Sequence, residues 1–235
     1  MISKPDSGLH RLKVNENGVR IVLAVACRVI LDYTLVAMAN PDHLALAGRY
    51  AAGARNLRLE MLDLTGADLG GLDFSDAWLR DTKFCGANLQ GCRFVGAPMP
   101  GTDLSGADLT GADLHGAIAA GAILVRATLV EANLRAVDLY GADLSHANLT
   151  RADLTQADLS LAVATYAIFT GSRLARAILF RTNLAYADLR DTNLDQVENV
   201  SGAKFEGARL PAGYQPLNKP RKSRFARGFF GKTKR

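Results

Sequence analysis

TDLSGADLTGADLHG, residues 102–116, is three copies of one five-residue unit, and ADLSHANLTRADLTQADLSL, residues 142–161, is four more. The unit keeps its phase from Leu62 to Gln196 without an insertion. Taking its large residue as the centre, centres fall every five positions from 64 to 194, 27 in all. Leu fills 20 of these, Phe four (Phe74, Phe84, Phe94, Phe169), Met one (Met99) and Ala two (Ala119, Ala164). Two residues before the centre, Ala fills 18 of the 27, and most others are Thr, Ser, Cys or Val.

A period of five fits neither the 3.6-residue helix nor plain two-residue strand alternation. A helix of this length would carry its Leu residues all round its surface. Within a unit the Ala and the Leu are two apart, so a locally extended backbone points both the same way. The chain must then turn before the next pair points inward, and Gly, Asp, Asn, Ser and Thr fill the turning positions. The expected fold is an all-β solenoid: a polygonal coil with one unit per side, stabilised by stacking coil on coil.

With its A(D/N)LxX pattern held over 27 units, the chain resembles the pentapeptide-repeat family. The resemblance implies a right-handed, four-sided β-helix with 20 residues per coil, about seven coils here. At a strand spacing of roughly 4.8 Å, that is a rod on the order of 33 Å long. Phe74 and Phe94, 20 apart, then stack in one file, and Phe84 faces them from the opposite side. The segment RYAAGARNL, Arg49 to Leu57, resembles the family's YxAGxxxF-type opening cap, with Leu57 in place of Phe.

Four regions follow. Residues 1–18 are polar and read as a flexible N-terminus. Residues 19–56 read as a helical segment and N-terminal helical cap. The run VRIVLAVACRVILDYTLVAMA is mostly apolar, but Arg28 and Asp32 sit in its middle, which disfavours a membrane span. Asn40 suits an N-cap, Pro41 a first helical position and Gly53 an exit. Residues 57–213 are the β-helix, whose phase slips by one near Glu198–Asn199 before Val200, Phe205 and Leu210 resume it. Residues 214–235 are a basic tail, expected to be disordered, with Lys219, Arg221, Lys222, Arg224, Arg227, Lys232, Lys234 and Arg235 interleaved with Phe225, Phe229 and Phe230.

The net charge of +5 hides an opposition. Residues 60–196 hold 17 acids and 10 bases, a net of −7, whereas 217–235 hold eight bases and no acid. The Asp residues precede the centre on every side, where Asp and Asn favour turn hydrogen bonds. Some members of the family mimic duplex DNA and bind DNA gyrase or topoisomerase IV. Duplex DNA carries a charge per roughly 1.7 Å, so a mimic of this length needs on the order of 20 net negatives. Seven is a poor match unless one face concentrates them.

Apolar residues at outward positions are less ordinary. Ile118, Ile123, Val125 and Val130 form one cluster in phase; Val163, Ile168, Ile178 and Phe180 form another. Clusters of this kind mark contact surfaces, for a protein partner or a second copy of the chain. Catalytic chemistry is not visible: His10, His43, His115 and His146 stand apart, and no HExxH, GxSxG, P-loop or CxxC occurs. Neither a cofactor nor a metal is implied, since Cys27, Cys85 and Cys92 lack ligand spacing. The sequence therefore reads as a non-catalytic interaction scaffold. Type II topoisomerase is the partner that the resemblance implies. Contact of the basic tail with an anionic membrane or nucleic acid is the alternative. The odd cysteine count points to a reducing cytoplasm; a secreted or membrane-surface location goes with the tail reading.

Overall fold

The structure is a computed structural model that describes residues 58–215 and two short strands nearer the N-terminus. Strands β1 (Arg20–Ile21) and β2 (Leu35–Val36) pair antiparallel, Arg20 opposite Val36 and Ile21 opposite Leu35. At these four residues the chain is extended where the apolar run reads as helix. That run is rich in β-branched Val and Ile, which favour extended backbone. The other residues of 1–57, including the cap at Arg49–Leu57, and the tail from residue 216 lie outside the described residues.

From Arg58 onward each five-residue unit makes one side of a coil. Residues before the centre bridge in parallel to their counterparts four units further on: Asp63 to Lys83, Lys83 to Asp103, Asp103 to Ile123. Four units therefore close one turn. Face 1 carries Ile118 and Asp138, face 2 Ile123 and Asp143, face 3 Thr128 and Asn148, face 4 Asn133 and Asp153. Seven bridges climb face 2 from Asp63 to Lys204, a rise on the order of 34 Å at strand spacing.

Corners explain why no long strand forms. The N–H of Ala107 returns to the carbonyl of Leu104 at 3.0 Å, and Gly106, third in that turn, has φ +65°. Positive φ at the third residue is the mark of a type II turn. The units centred on Leu64 through Leu184 all turn this way, so each side holds only enough extended backbone for a single bridge.

The interior is a set of files. Leu109, Leu129 and Leu149 lie one above another, fully buried. Phe74 stacks on Phe94 with centroids 5.2 Å apart and planes 11° from parallel, and Phe84 meets both edge-on at 6.0 and 6.2 Å. Where Ala gives way to Thr, the hydroxyl is satisfied by backbone. Thr82, Thr102 and Thr182 donate to the carbonyls of Leu59, Leu79 and Leu159 at 2.7–2.8 Å. Cys92 Sγ lies 3.0 Å from the Leu69 carbonyl, and burial pushes its thiol up to about 11. It is a core residue, not a nucleophile.

One coil is a residue longer than the rest. A 3-10 helix, Leu194–Gln196, takes up the extra residue, and the bridges beyond it span 21: Ile178 to Asn199, Asn183 to Lys204, Asp188 to Arg209. The slip thus begins a few residues before Glu198–Asn199.

Candidate functional site

The outward surface is set first by backbone needs. The N–H just after each centre has no rung partner, and the Asp or Asn before the centre supplies one. Asp138 Oδ1 accepts from Tyr140 N–H at 2.9 Å, Asp158 from Ser160 at 2.8 Å and Asn148 from Thr150 at 3.1 Å. These Asx turns close the accounting for that donor. They also hold carboxyls below the usual range. At Asp63 the Thr65 hydroxyl and N–H do so. At Asp108 burial pushes the other way, but the Thr110 hydroxyl, the Gln90 amide and the Thr110 N–H outweigh it. The Asp series is therefore part of the fold.

Five aliphatic residues break the rule. Ile118, Ile123, Val163, Ile168 and Ile178 take the Asx position and offer no acceptor to the N–H two residues on. Four of them are exposed: Ile118 (48%), Ile168 (40%), Ile123 (39%) and Val163 (37%). The other four residues of the expected contact clusters are not so open. Val125, Val130 and Phe180 follow a centre, where each is flanked by the same position of neighbouring coils, and they are half-buried. Arg181 also lies over the Phe180 ring at 5.1 Å. Ile178 is half-buried beside the lengthened coil that holds its bridge partner Asn199.

The structure adds aromatic residues that the sequence reading passed over. At the corner between faces 2 and 3, His146, Tyr166 and Tyr186 form a stacked column. Successive centroids are 5.0 and 4.9 Å apart, with planes 2° and 10° from parallel. The edge of Tyr186 fills the place that a Cβ on Gly207 would take. Leu161 and Tyr140 are exposed on the next corner and on face 1. Their signal was the four-unit spacing, the same arithmetic that aligned Phe74 with Phe94. A corner position often held by Gly suggests a turn alone.

Charge is laid out unevenly. On faces 3 and 4 and their shared corner, four carboxylates are countered: Arg93 to Asp73 (3.7 Å), Arg135 and Arg173 to Asp153 (3.3 and 3.7 Å), Arg151 to Glu131 (2.7 Å), Arg190 and Arg209 to Asp188 (2.6 and 3.7 Å), while Asp68, Asp108 and Asp113 there enter no ion pair among the described residues. Among the described residues, the ion pair on face 1 is Arg58 with Glu60 (3.6 Å), and face 2 has none. The eight basic tail residues lie outside the described residues.

Among the described residues no group of His, Cys, Asp or Glu is placed to hold a metal, and no helix is long and apolar enough to cross a membrane. His115 Nδ1 sits 3.1 Å from the Arg135 carbonyl on face 4, and His146 belongs to the aromatic column, so the two are not brought together. The described surface presents exposed aliphatic and aromatic contact area.

The model of pentapeptide repeats matches eight copies spread over residues 63–210. No curated protein is similar enough in sequence to count as a match. Among solved structures, the chain is similar to a pentapeptide-repeat protein from the thylakoid lumen of Arabidopsis thaliana, with 32% identity over 43% of this chain and 70% of that one and a TM-score of 0.42. It is similar to HetL, involved in heterocyst differentiation regulation in the cyanobacterium Nostoc, with 27% identity over 72% and 97% and a TM-score of 0.33. A trypsin-treated form of QnrB1, a plasmid-mediated fluoroquinolone resistance protein, shows 17% identity over 66% and 90% with a TM-score of 0.32. The right-handed β-helix expected from the sequence is the architecture of proteins built from this repeat. With bridges that join each unit to the fourth one after it, as Asp103 to Ile123, and a family match across most of its length, the chain belongs to the pentapeptide-repeat family.

Proposed function

We propose that the protein is a non-catalytic interaction scaffold, a β-helical rod that presents an apolar and aromatic belt to a protein partner. The observation behind this reading is the placing of Ile118, Ile123, Val163 and Ile168. Each occupies a position where Asp or Asn would support the fold, forgoes that hydrogen bond and leaves aliphatic surface in water. Local departures from what a fold prefers collect at functional surfaces, and exposed apolar groups in clusters mark contacts. Affinity capture on the full chain tests it, with wild type beside the Val163→Asp/Ile168→Asp pair. Support is a protein held by wild type and released by the variant. Identical capture by both would overturn the reading. Light scattering on the wild type decides whether a second copy is that partner.

Type II topoisomerase, which the family resemblance suggests, has its own assay. Mimicry of duplex DNA needs acids massed on one side. Here they are spread over four faces, and Asp73, Asp153 and Asp188 are paired with Arg. The belt favours a partner that takes apolar surface over a DNA-binding channel. Gyrase supercoiling with and without a quinolone is the measurement, and no effect at micromolar protein removes topoisomerase as the partner.

A further inference from the structure

One side of the rod is both acidic and apolar. On faces 1 and 2, Asp138, Asp143 and Asp158 enter no ion pair among the described residues. Each accepts the backbone N–H two residues on with one carboxylate oxygen. Apart from one another, their bridge partners along the rod are Ile118, Ile123, Val163 and Ile178, so no base stands on the neighbouring rung. Exposed Tyr140 and Leu161 lie beside them. Arg93, Arg135, Arg151, Arg173, Arg190 and Arg209 are engaged in ion pairs on faces 3 and 4 and their shared corner, and Arg181, at the corner between faces 1 and 2, lies over the Phe180 ring.

After Gln215 the chain continues to Arg235, with eight Lys or Arg, no acid and three Phe. We propose that this segment, residues 216–235, docks along faces 1 and 2 of its own rod. Its bases meet Asp138, Asp143 and Asp158, and its phenylalanines meet Tyr140, Leu161 and Val163. Charge and apolar character match in kind on both sides. Reach is sufficient: fully extended, the segment spans up to about 66 Å, while the strip lies two to five coils back, roughly 10–25 Å along the axis. A short tether gives an effective concentration in the millimolar range, so a weak intrinsic match suffices for occupancy. The docking rests on the reading of this side as the contact surface, and an outside partner competes with the segment for it.

Zero-length carbodiimide cross-linking of the full chain tests the contact, using an equal mixture of unlabelled and nitrogen-15-labelled protein. The expected products join Lys219, Lys222, Lys232 or Lys234 to Asp138, Asp143 or Asp158 within one isotopic species. Their yield falls several-fold at about 0.5 M salt, because exposed pairs are screened. Equal links to Asp73 or Asp188, links only between unlike isotopes, or no tail-to-rod links would overturn it.

A second measurement keeps the fold constant. Asp138→Asn/Asp143→Asn/Asp158→Asn preserves the Asx turns, as Asn88 and Asn133 already make them. Trypsin cleavage after Arg224 and Arg227 is expected to quicken by about fivefold or more with thermal unfolding unchanged; an unchanged cleavage rate sinks the proposal. Capture sensitive to Val163→Asp/Ile168→Asp, with no tail cross-link, would leave the scaffold reading standing and remove this one alone.

Discussion

Tyr166 lies flat on Tyr186, ring centroids 4.9 Å apart and planes 10° from parallel, while both residues hold φ +60°. A left-handed backbone is unfavourable for a large L-residue, on the order of 1 kcal/mol, and the stack offsets it, at roughly 0.5–1.5 kcal/mol per aromatic pair. Tyr166→Ala keeps the backbone cost and loses the contacts above and below. It is expected to lower unfolding stability by roughly 1 kcal/mol. A double-mutant cycle with Tyr186→Ala should return a coupling of a few tenths of a kcal/mol or more.

Putting the missing acceptor back should strengthen the rod. Val163→Asp and Ile168→Asn each restore the bond made at Asp143 and Asn148, worth about 0.5–1.5 kcal/mol. Denaturant midpoints should rise while partner capture falls. A lower midpoint would show that these side chains pack against something the fold needs.

Two inward hydroxyls differ in a way that stability measurements can read. Thr182 donates to the Leu159 carbonyl at 2.7 Å, and Thr182→Ala should cost about 1 kcal/mol. Ser172 Oγ is buried without a protein partner. Ser172→Ala removes an unpaired polar atom and should be neutral or stabilising by up to about 1 kcal/mol.

Corner positions give a matched pair. Ala136 sits at φ +51° and Gly106 at +65°, the latter with open space around its missing Cβ. Ala136→Gly should stabilise and Gly106→Ala destabilise, each by roughly 0.5–1 kcal/mol, because only glycine enters this region freely.

Acid should loosen the rod from its surface inward. Asp63, Asp103, Asp108, Asp153 and Asp188 are held below the ordinary carboxylate value in the fold. Their contribution is fully present above the unfolded value of about 3.9 and fades as pH drops through the lower folded values. Thermal midpoints should be flat from neutral pH to about 4 and then decline. Asp108→Asn keeps an acceptor without a titration and should make that decline shallower.

Core and coil were legible from Leu109, Leu129 and Leu149 alone, because a five-residue period leaves little choice about which side chains face inward. The turn-forming role of Asp108 and its kin was legible too, through the known habit of Asx residues at turns. The exposure of the proposed contact residues was legible in half. Ile118, Ile123, Val163 and Ile168 are as open as their phase implies. Val125, Val130 and Phe180 are not, since how far a residue after the centre is covered depends on the coils above and below. Tyr166 and Tyr186 escaped notice because a bulky residue in the left-handed region runs against single-residue expectation, and only its partner one coil away makes it reasonable. The strands at Arg20–Ile21 and Leu35–Val36 run through a segment whose apolar pattern suits either backbone.

The closure of each coil by four units has a consequence for how such a chain can change length. Excising one unit between Leu124 and Leu159 would leave every leucine in a file, because one unit replaces another. Everything downstream would nonetheless swing by a quarter revolution, and Val163 would come to stand over Ile118 instead of Ile123. The interior thus accepts edits in fives and the exterior only in twenties. A lineage that must keep one outward pattern facing one way would be held to whole revolutions, a stricter ruler than packing supplies.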